Sequence, residues 1–175
     1  MRVYSALLVL LLASNAYPAE CNRRSFNHWV DLDKDGLDTR EEFVKAEVIL
    51  GDKFICPYTG ELASITKAEL DHVVPLQAAC DLGADKWTDE RREEFANDPL
   101  NLVLVQESVN ASKSDKIYSD WLPPNLRYAP SYLLRWKAVC DKYSLDCDIS
   151  DIDTMIVKYK RVKNGVRPWR ITFQY

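Results

Sequence analysis

Only two histidines occur in the 175 residues, His28 and His72, so no site built on three imidazoles can form. The zinc-peptidase pattern His-Glu-x-x-His is absent. No Cys-x-x-Cys pair occurs and His72 has no cysteine nearby, which disfavours a zinc cluster. Glycine is scarce, at five residues, and repeats and low-complexity stretches are lacking, which excludes linker-rich arrays and solenoids. Beyond the N-terminal segment no apolar run approaches a membrane span. At roughly 100–200 residues per domain, the length accommodates one globular domain and no second one for a cofactor.

What is present begins with a compartment signal. Met1-Arg2, the apolar run Val3 to Ala13 and the small or polar residues up to Ala19 read as a signal peptide over residues 1–19. Cleavage after Ala16 places small Ser14 at the −3 position, whereas cleavage after Ala19 places Tyr17 there; the first is favoured and the second stays open. The mature chain is expected to be secreted or periplasmic, without stable membrane association. Disulfides are expected there among Cys21, Cys56, Cys80, Cys140 and Cys147, with at least one thiol left over. Cys140 and Cys147 suit a local staple, and the pairing among the other three is open.

Loss of Arg2 with the leader leaves 22 Lys plus Arg against 27 Asp plus Glu, a net charge of −5. That mean hides two opposite ends. Residues 154–175 carry Lys158, Lys160, Arg161, Lys163, Arg167 and Arg170 and no acid, interleaved with Tyr159, Trp169, Phe173 and Tyr175. Bases and aromatics in this mixture suit phosphates and stacked nucleobases, and equally a solvated terminal strand or tail.

Along the chain, Thr39 with Glu42 fits a capping box that opens a helix running to about Leu50. Cys56-Pro-Tyr-Thr-Gly60 is a turn. Leu70–Val74 reads as a strand stopped by Pro75, followed by helices from about Leu76 to Leu82 and from a Thr88 cap to Asn97. Asn101–Val105 is the clearest strand, Ser108 to about Asp120 a helix, and Ser131 to Tyr143 a last amphipathic helix.

Asp71 and His72 thus lie on one strand, and Asn110 and Lys113 on a helix after the second strand. Asp71 and Asn110 both offer hard oxygen ligands, which suit Mg²⁺. His72 projects from the opposite strand face to Asp71 and is free to take a proton, with a reference pKa of about 6.5. Asp71-His-Val-Val-Pro-Leu76, Gly83-Ala84, Trp87, Phe95-Ala-Asn-Asp-Pro-Leu-Asn-Leu102, Asn110-Ala-Ser-Lys113 and Trp121-Leu-Pro-Pro124 carry a resemblance, joined by Asp38-Thr-Arg40 and Pro57-Tyr-Thr-Gly60. Together they resemble the secreted bacterial branch of the HNH (ββα-metal, His-Me finger) endonucleases, close to the GmrSD C-terminal type. The likeness covers roughly residues 26–148.

This resemblance implies an α+β fold, with a ββα-metal hairpin-plus-helix core embedded in a mostly helical domain. It implies His72 as general base, Asp71 and Asn110 as ligands of one Mg²⁺ or Mn²⁺, and Asn101 as the residue that fixes the His-bearing loop. Lys113 would approach a phosphate, and Arg40 would grip one, where the alternative for Arg40 is a salt bridge with a nearby Glu. The family's last His is Asn110 here, a change that does not remove a ligand, because Asn offers an oxygen, and that moves the metal preference from zinc toward Mg²⁺ or Mn²⁺. His28 stands where relatives commonly have a small residue and is read as incidental. The substrate would be nucleic acid, DNA in preference to RNA.

A second candidate site is the stretch Asp31-Leu-Asp33-Lys-Asp35-Gly-Leu37 through Glu42. Its acids fall at positions 1, 3, 5 and 12 and its glycine at 6 of an EF-hand Ca²⁺ loop, with Leu37 supplying the backbone carbonyl at position 7. Against this, Asp38 stands where an apolar residue is usual and no second hand is present, so an acidic turn before a helix accounts for it equally. The expected organisation is a leader over 1–19, a nuclease domain over 20–153 with the acidic loop at 31–42, and a basic aromatic segment over 154–175. The competing function is a non-catalytic Ca²⁺-binding scaffold or adhesion module.

Overall fold

The computed structural model describes residues 20–47 and 51–162, the last two by backbone alone. The expected leader and the basic segment from Lys163 onward lie outside the described residues. Among the described residues the fold is mixed α+β, with six α-helices and two separate two-stranded antiparallel sheets. None of these helices is long and apolar enough to cross a membrane.

Helix α1 (Thr39–Glu47) opens one residue earlier in its capping logic than the sequence suggests. Asp38 accepts from the Glu41 amide at 2.8 Å and Glu41 accepts from the Asp38 amide at 3.0 Å, so the reciprocal box is Asp38–Glu41. The Thr39 hydroxyl is instead drawn inward, 2.9 Å from the Val30 carbonyl and 3.1 Å from Asn97 Oδ1. Next come strands β1 (Lys53–Ile55) and β2 (Leu62–Ser64), a hairpin the sequence did not announce because each strand has only three residues. They flank the expected Cys56–Gly60 turn, which Gly60 closes with φ +76° and a 2.7 Å bond to the Cys56 carbonyl.

The centre of the domain is strand β3 (Ala68–His72) paired antiparallel with β4 (Leu102–Gln106), with Asp71 opposite Val103 and His72 opposite Leu102. Between them lie α2 (Leu76–Asp81) and α3 (Asp89–Asn97), the latter capped by Thr88 as expected. Residues Leu102–Val105 are all buried, which explains their continuous apolar run. Helix α4 (Glu107–Lys113) follows β4 directly and packs on both strands. It is shorter than the expected run to Asp120. Lys113 is wholly buried toward β3, and Ser114, at φ +54°, turns the chain away with its amide on the Asn110 carbonyl at 2.8 Å.

Helices α5 (Ala129–Tyr143) and α6 (Ile149–Val162) form the opposite side of the core. Tyr132, Leu133, Trp136 and Val139 of α5 meet Ile152 and Ile156 of α6, all buried. Each fully buried side chain of this size is worth about 1.5–3 kcal/mol. Helix α6 runs unbroken across Asp153 and Thr154, so the segment boundary expected there lies inside one helix. Its apolar stripe, Ile152, Ile156 and Tyr159, holds Lys158 and Lys160 on a docked element, contrary to the reading of a terminal strand or tail.

Two disulfides form, Cys21–Cys80 and Cys140–Cys147, and Cys56 is the free, buried thiol among the described residues. The first closes a separation of 59 residues and the second one of 7. On a chain-entropy basis they stabilise by about 4 and about 2.5 kcal/mol.

Candidate active site

Strand periodicity sets the site. Glu69 and Asp71 share one face of β3 and His72 takes the other, while Asn110 approaches from α4. Glu69, Asp71, His72 and Asn110 line one cleft of about 440 Å³, together with Arg23 and Gln77 among others. The structure therefore brings together His72 and both expected metal ligands.

His72 is held from two sides. Its Nε2 lies 2.7 Å from the Ala96 carbonyl. A carbonyl only accepts, so Nε2 carries the proton and Nδ1 keeps the lone pair that can accept one. Trp29 stacks on the ring, centroids 5.4 Å apart and planes 18° from parallel, and His28 meets it edge-on at 6.2 Å. Burial, with smaller contributions from His28, Lys113 and Arg23, pushes the His72 pKa down to about 3, against the Ala96 bond. The imidazole is accordingly neutral throughout the physiological range. Trp29 adopts φ +62°, an uncommon and strained backbone for a bulky residue, where its indole stacks on the imidazole.

Asn101 is completely buried at the entry to β4. Its Oδ1 accepts from the Val74 amide at 2.8 Å and its Nδ2 donates to the Val74 carbonyl at 3.2 Å, while its carbonyl accepts from Val73 at 2.7 Å. These bonds fix the segment immediately after His72.

Asp71 is 6% exposed, and both its oxygens have partners. Tyr58 donates to Oδ2 at 2.7 Å and Lys113 to Oδ1 at 3.0 Å, with the Lys113 ammonium also 2.8 Å from the His72 carbonyl. Burial pushes the Asp71 carboxyl up, and Lys113 and Tyr58 pull it back toward the ionised form. Burial likewise pushes the Lys113 ammonium down, opposed by Asp71. Lys113 thus departs from its expected place beside a substrate phosphate: at 0% exposure it is a structural counter-charge beneath Asp71. Arg40 also stays out of the cleft, where its exposed side chain reaches the Ala68 carbonyl at 3.4 Å.

Asn110 donates its amide to Glu69 Oε2 at 2.7 Å, which leaves Oδ1 as its ligand atom. Two carboxylates and an amide oxygen in one cleft are the hard donor set that a Mg²⁺-type ion takes, so the residues fit such an ion. Glu69 was legible in principle, since a residue two before Asp71 shares its face. Arg23 and Trp29 reach the site from a distant segment with no local signal of it, and Tyr58 was visible only as part of the Pro57–Gly60 stretch of the family resemblance.

The acidic loop is a separate place. Carboxylate oxygens of Asp31, Asp33 and Asp35 all lie within 4.8 Å of one another, exposed. The Gly36 amide donates to Asp31 Oδ2 at 3.0 Å and the Leu37 amide to Asp35 Oδ1 at 2.9 Å. Glu42 faces the same group, and desolvation followed by repulsion from Asp33, Asp35, Asp31 and Asp38 raises its carboxyl pKa.

The chain is similar in sequence to known proteins. A secreted protein of Arthroderma benhamiae, itself uncharacterized, is 31% identical over 137 residues, which cover 71% of this chain and 67% of the relative. Residues 25–155 match the family described as GmrSD restriction endonucleases, C-terminal domain, and the chain belongs to that family. Membership points to nuclease-type chemistry. No solved structure matches the chain.

Proposed function

We propose that this chain is a secreted or periplasmic metal-dependent HNH endonuclease that hydrolyses phosphodiester bonds of nucleic acid, DNA in preference to RNA. The observation that carries the reading is the convergence of His72, Asp71 and Asn110 on one cleft, from a strand pair and the helix that follows it. In this reading β3, β4 and α4 act as the ββα-metal core. Secretion is supported by the leader-like N-terminus, the two disulfides and the secreted relative.

Asp71 and Asn110, with Glu69 beside them, would hold a Mg²⁺ or Mn²⁺ ion. Such an ion supplies stabilisation of negative charge on a non-bridging phosphate oxygen and on the departing 3′ oxygen. His72 Nδ1 takes a proton from water, whose oxygen attacks phosphorus in line as the bond to the 3′ oxygen breaks. The departing 3′ oxygen takes a proton from solvent water and His72 returns its proton to solvent, leaving a 5′ phosphate and a 3′ hydroxyl. Trp29 and the Ala96 carbonyl hold the imidazole plane and its tautomer while this happens. General-base help is typically worth about 10² to 10⁴ in rate when the base titrates near the working pH, and burial that pushes His72 down to about 3 makes it a weaker base than that.

The acidic loop, with Asp31, Asp33, Asp35, the Leu37 carbonyl and Glu42, is proposed to bind Ca²⁺, a role supported by the convergence of its carboxylates. A purely Ca²⁺-binding scaffold is the rival reading, and one gel separates them. Plasmid incubated with the mature protein is nicked in Mg²⁺ and intact in EDTA, and His72→Ala abolishes nicking. Metal-independent or absent cleavage, or cleavage that survives His72→Ala, overturns the nuclease assignment.

A further inference from the structure

If the cleft cleaves a phosphodiester, it needs a cation that grips the phosphate, and the two residues the sequence nominated do not supply one. Lys113 is buried against Asp71, and Arg40 lies outside the cleft on β3's backbone. Among the described residues that line the cleft, the charged side chains are Glu69, Asp71, Asp115 and Arg23, His72 being neutral. The cleft is therefore acidic apart from one guanidinium. As hydroxide adds to phosphorus the phosphate gains negative charge; Lys113 is already committed to Asp71, which leaves Glu69 and Asp115 as the acids of the cleft without a buried counter-charge, and Arg23 is the cation among its lining residues that can face the phosphate.

Arg23 is available for the task. Its side chain is exposed and makes no ion pair or side-chain hydrogen bond among the described residues, so binding a phosphate breaks no internal contact. It is also anchored from both sides. Cys21, two residues before it, is bonded to Cys80 on α2. A turn over Arg23–Ser25 is capped by Asn22, whose side-chain Oδ1 accepts from the Arg24 amide at 2.9 Å and whose backbone N–H donates to Ser25 Oγ at 3.2 Å. Three residues later Phe26 is buried against Phe95, centroids 5.9 Å apart. A guanidinium whose backbone is fixed in this way loses less entropy on binding and can present two parallel N–H donors to a phosphate.

We propose that Arg23 is the phosphate-binding residue of the His72 cleft and that the Cys21–Cys80 disulfide keeps it there. This inference rests on the nuclease reading and adds to it an element that precedes the family-matched residues 25–155. It also gives the disulfide a role in substrate binding besides stability. Reduction of that bond frees the N-terminal segment from α2 and removes the cation from the cleft without touching His72, Asp71 or Asn110.

The experiment uses the whole mature protein and a fluorescein-labelled DNA duplex. Binding is measured over a salt series in the His72→Ala background, where no cleavage occurs, and steady-state cleavage in the otherwise native protein. Arg23→Gln is expected to raise Kd and KM roughly tenfold and to lower the slope of log Kd against log salt by about one, with Arg23→Lys between. Cys21→Ser/Cys80→Ser is expected to reproduce the loss, and adding Arg23→Gln to it to cost little more. Unchanged Kd, KM and salt slope in Arg23→Gln overturn the proposal while cleavage abolished by His72→Ala keeps the nuclease reading. Native affinity in the cysteine double variant overturns the tethering half. Cleavage that survives His72→Ala overturns the underlying reading itself.

Discussion

The Lys113 ammonium lies 3.0 Å from Asp71 Oδ1 with both side chains buried, so the helix that carries Asn110 is bolted through an ion pair to the strand that carries Asp71 and His72. Removing one partner leaves an uncompensated buried charge, which typically costs about 3–5 kcal/mol. Lys113→Ala and Asp71→Ala are each expected to lose stability of that order in urea denaturation. Lys113→Met with Asp71→Asn should lose markedly less than the sum, since neither charge remains. A stability loss under 1 kcal/mol for Lys113→Ala would show that the ammonium is solvated and free for substrate after all.

Glu69 is expected to position Asn110 for an ion. With the 2.7 Å bond gone in Glu69→Ala, the Asn110 amide is free to rotate and its oxygen is no longer presented consistently. Loss of an orienting partner of this kind costs about 10- to 100-fold in metal affinity. Titration calorimetry with Mn²⁺ reads this without reference to cleavage, and unchanged affinity would assign Glu69 to solvent.

The acidic loop gives a second, independent metal test. Ca²⁺ at 100 times its Kd is expected to raise stability by about 2.7 kcal/mol, seen as a higher Tm. Asp31→Ala and Asp35→Ala should abolish the shift, as should Glu42→Gln if the raised carboxyl of Glu42 reflects a shared site. A shift that persists in Asp31→Ala places the ion elsewhere.

Alkaline unfolding should be steep. Burial, with the negative charges of Asp151 and Asp148 behind it, pushes Tyr118 up to about 12, and burial also holds Tyr132 and Tyr143 well above the usual phenol range. A raised folded pKa means stability that is fully present below the unfolded value of about 10 and is lost as pH rises through the folded one. Circular dichroism and phenolate absorbance should therefore change together above pH 10. Phenolate absorbance for these residues at pH 10 with native dichroism would contradict it.

Truncation distinguishes the two parts of the basic segment. Ending the chain after Asp153 removes Ile156, a buried residue of α6 in the core shared with α5, and is expected to destabilise by a few kcal/mol. Ending it after Val162 spares the docked stripe, so Tm should hold while any DNA affinity due to Lys163, Arg167 and Arg170 is lost. Equal Tm values for the two truncations would mean that α6 adds nothing to the core.

Strong local signals made much of the fold legible. Leu102–Val105 read as a strand because four consecutive apolar residues need burial on both faces, and α3 was bracketed by Thr88 and Asp98-Pro99. The failures follow from tertiary competition. Thr39 looked like a cap, yet its hydroxyl is claimed by Asn97 and Val30, and Asp38 does the capping. The extension of α4 to Asp120 failed because Ser114 leaves the helical backbone at φ +54° and turns the chain away after Lys113. Helix α6 was hidden by its charges, since the apolar stripe that docks it occupies only one residue in three or four.

By itself the sequence determined which chemistry was open. Two histidines, a strand bearing Asp71-His72 and a helix bearing Asn110 admit one general base and an oxygen-rich ion site, because residue type and local periodicity are properties of neighbouring residues. Only the tertiary structure decided which cation sits beneath Asp71 and which faces the cleft. Lys113 and Arg23 are both positive, and nothing local distinguishes them. Their roles were set by burial against β3 in one case and by a disulfide to α2 in the other, contacts made across 42 and 59 residues of chain.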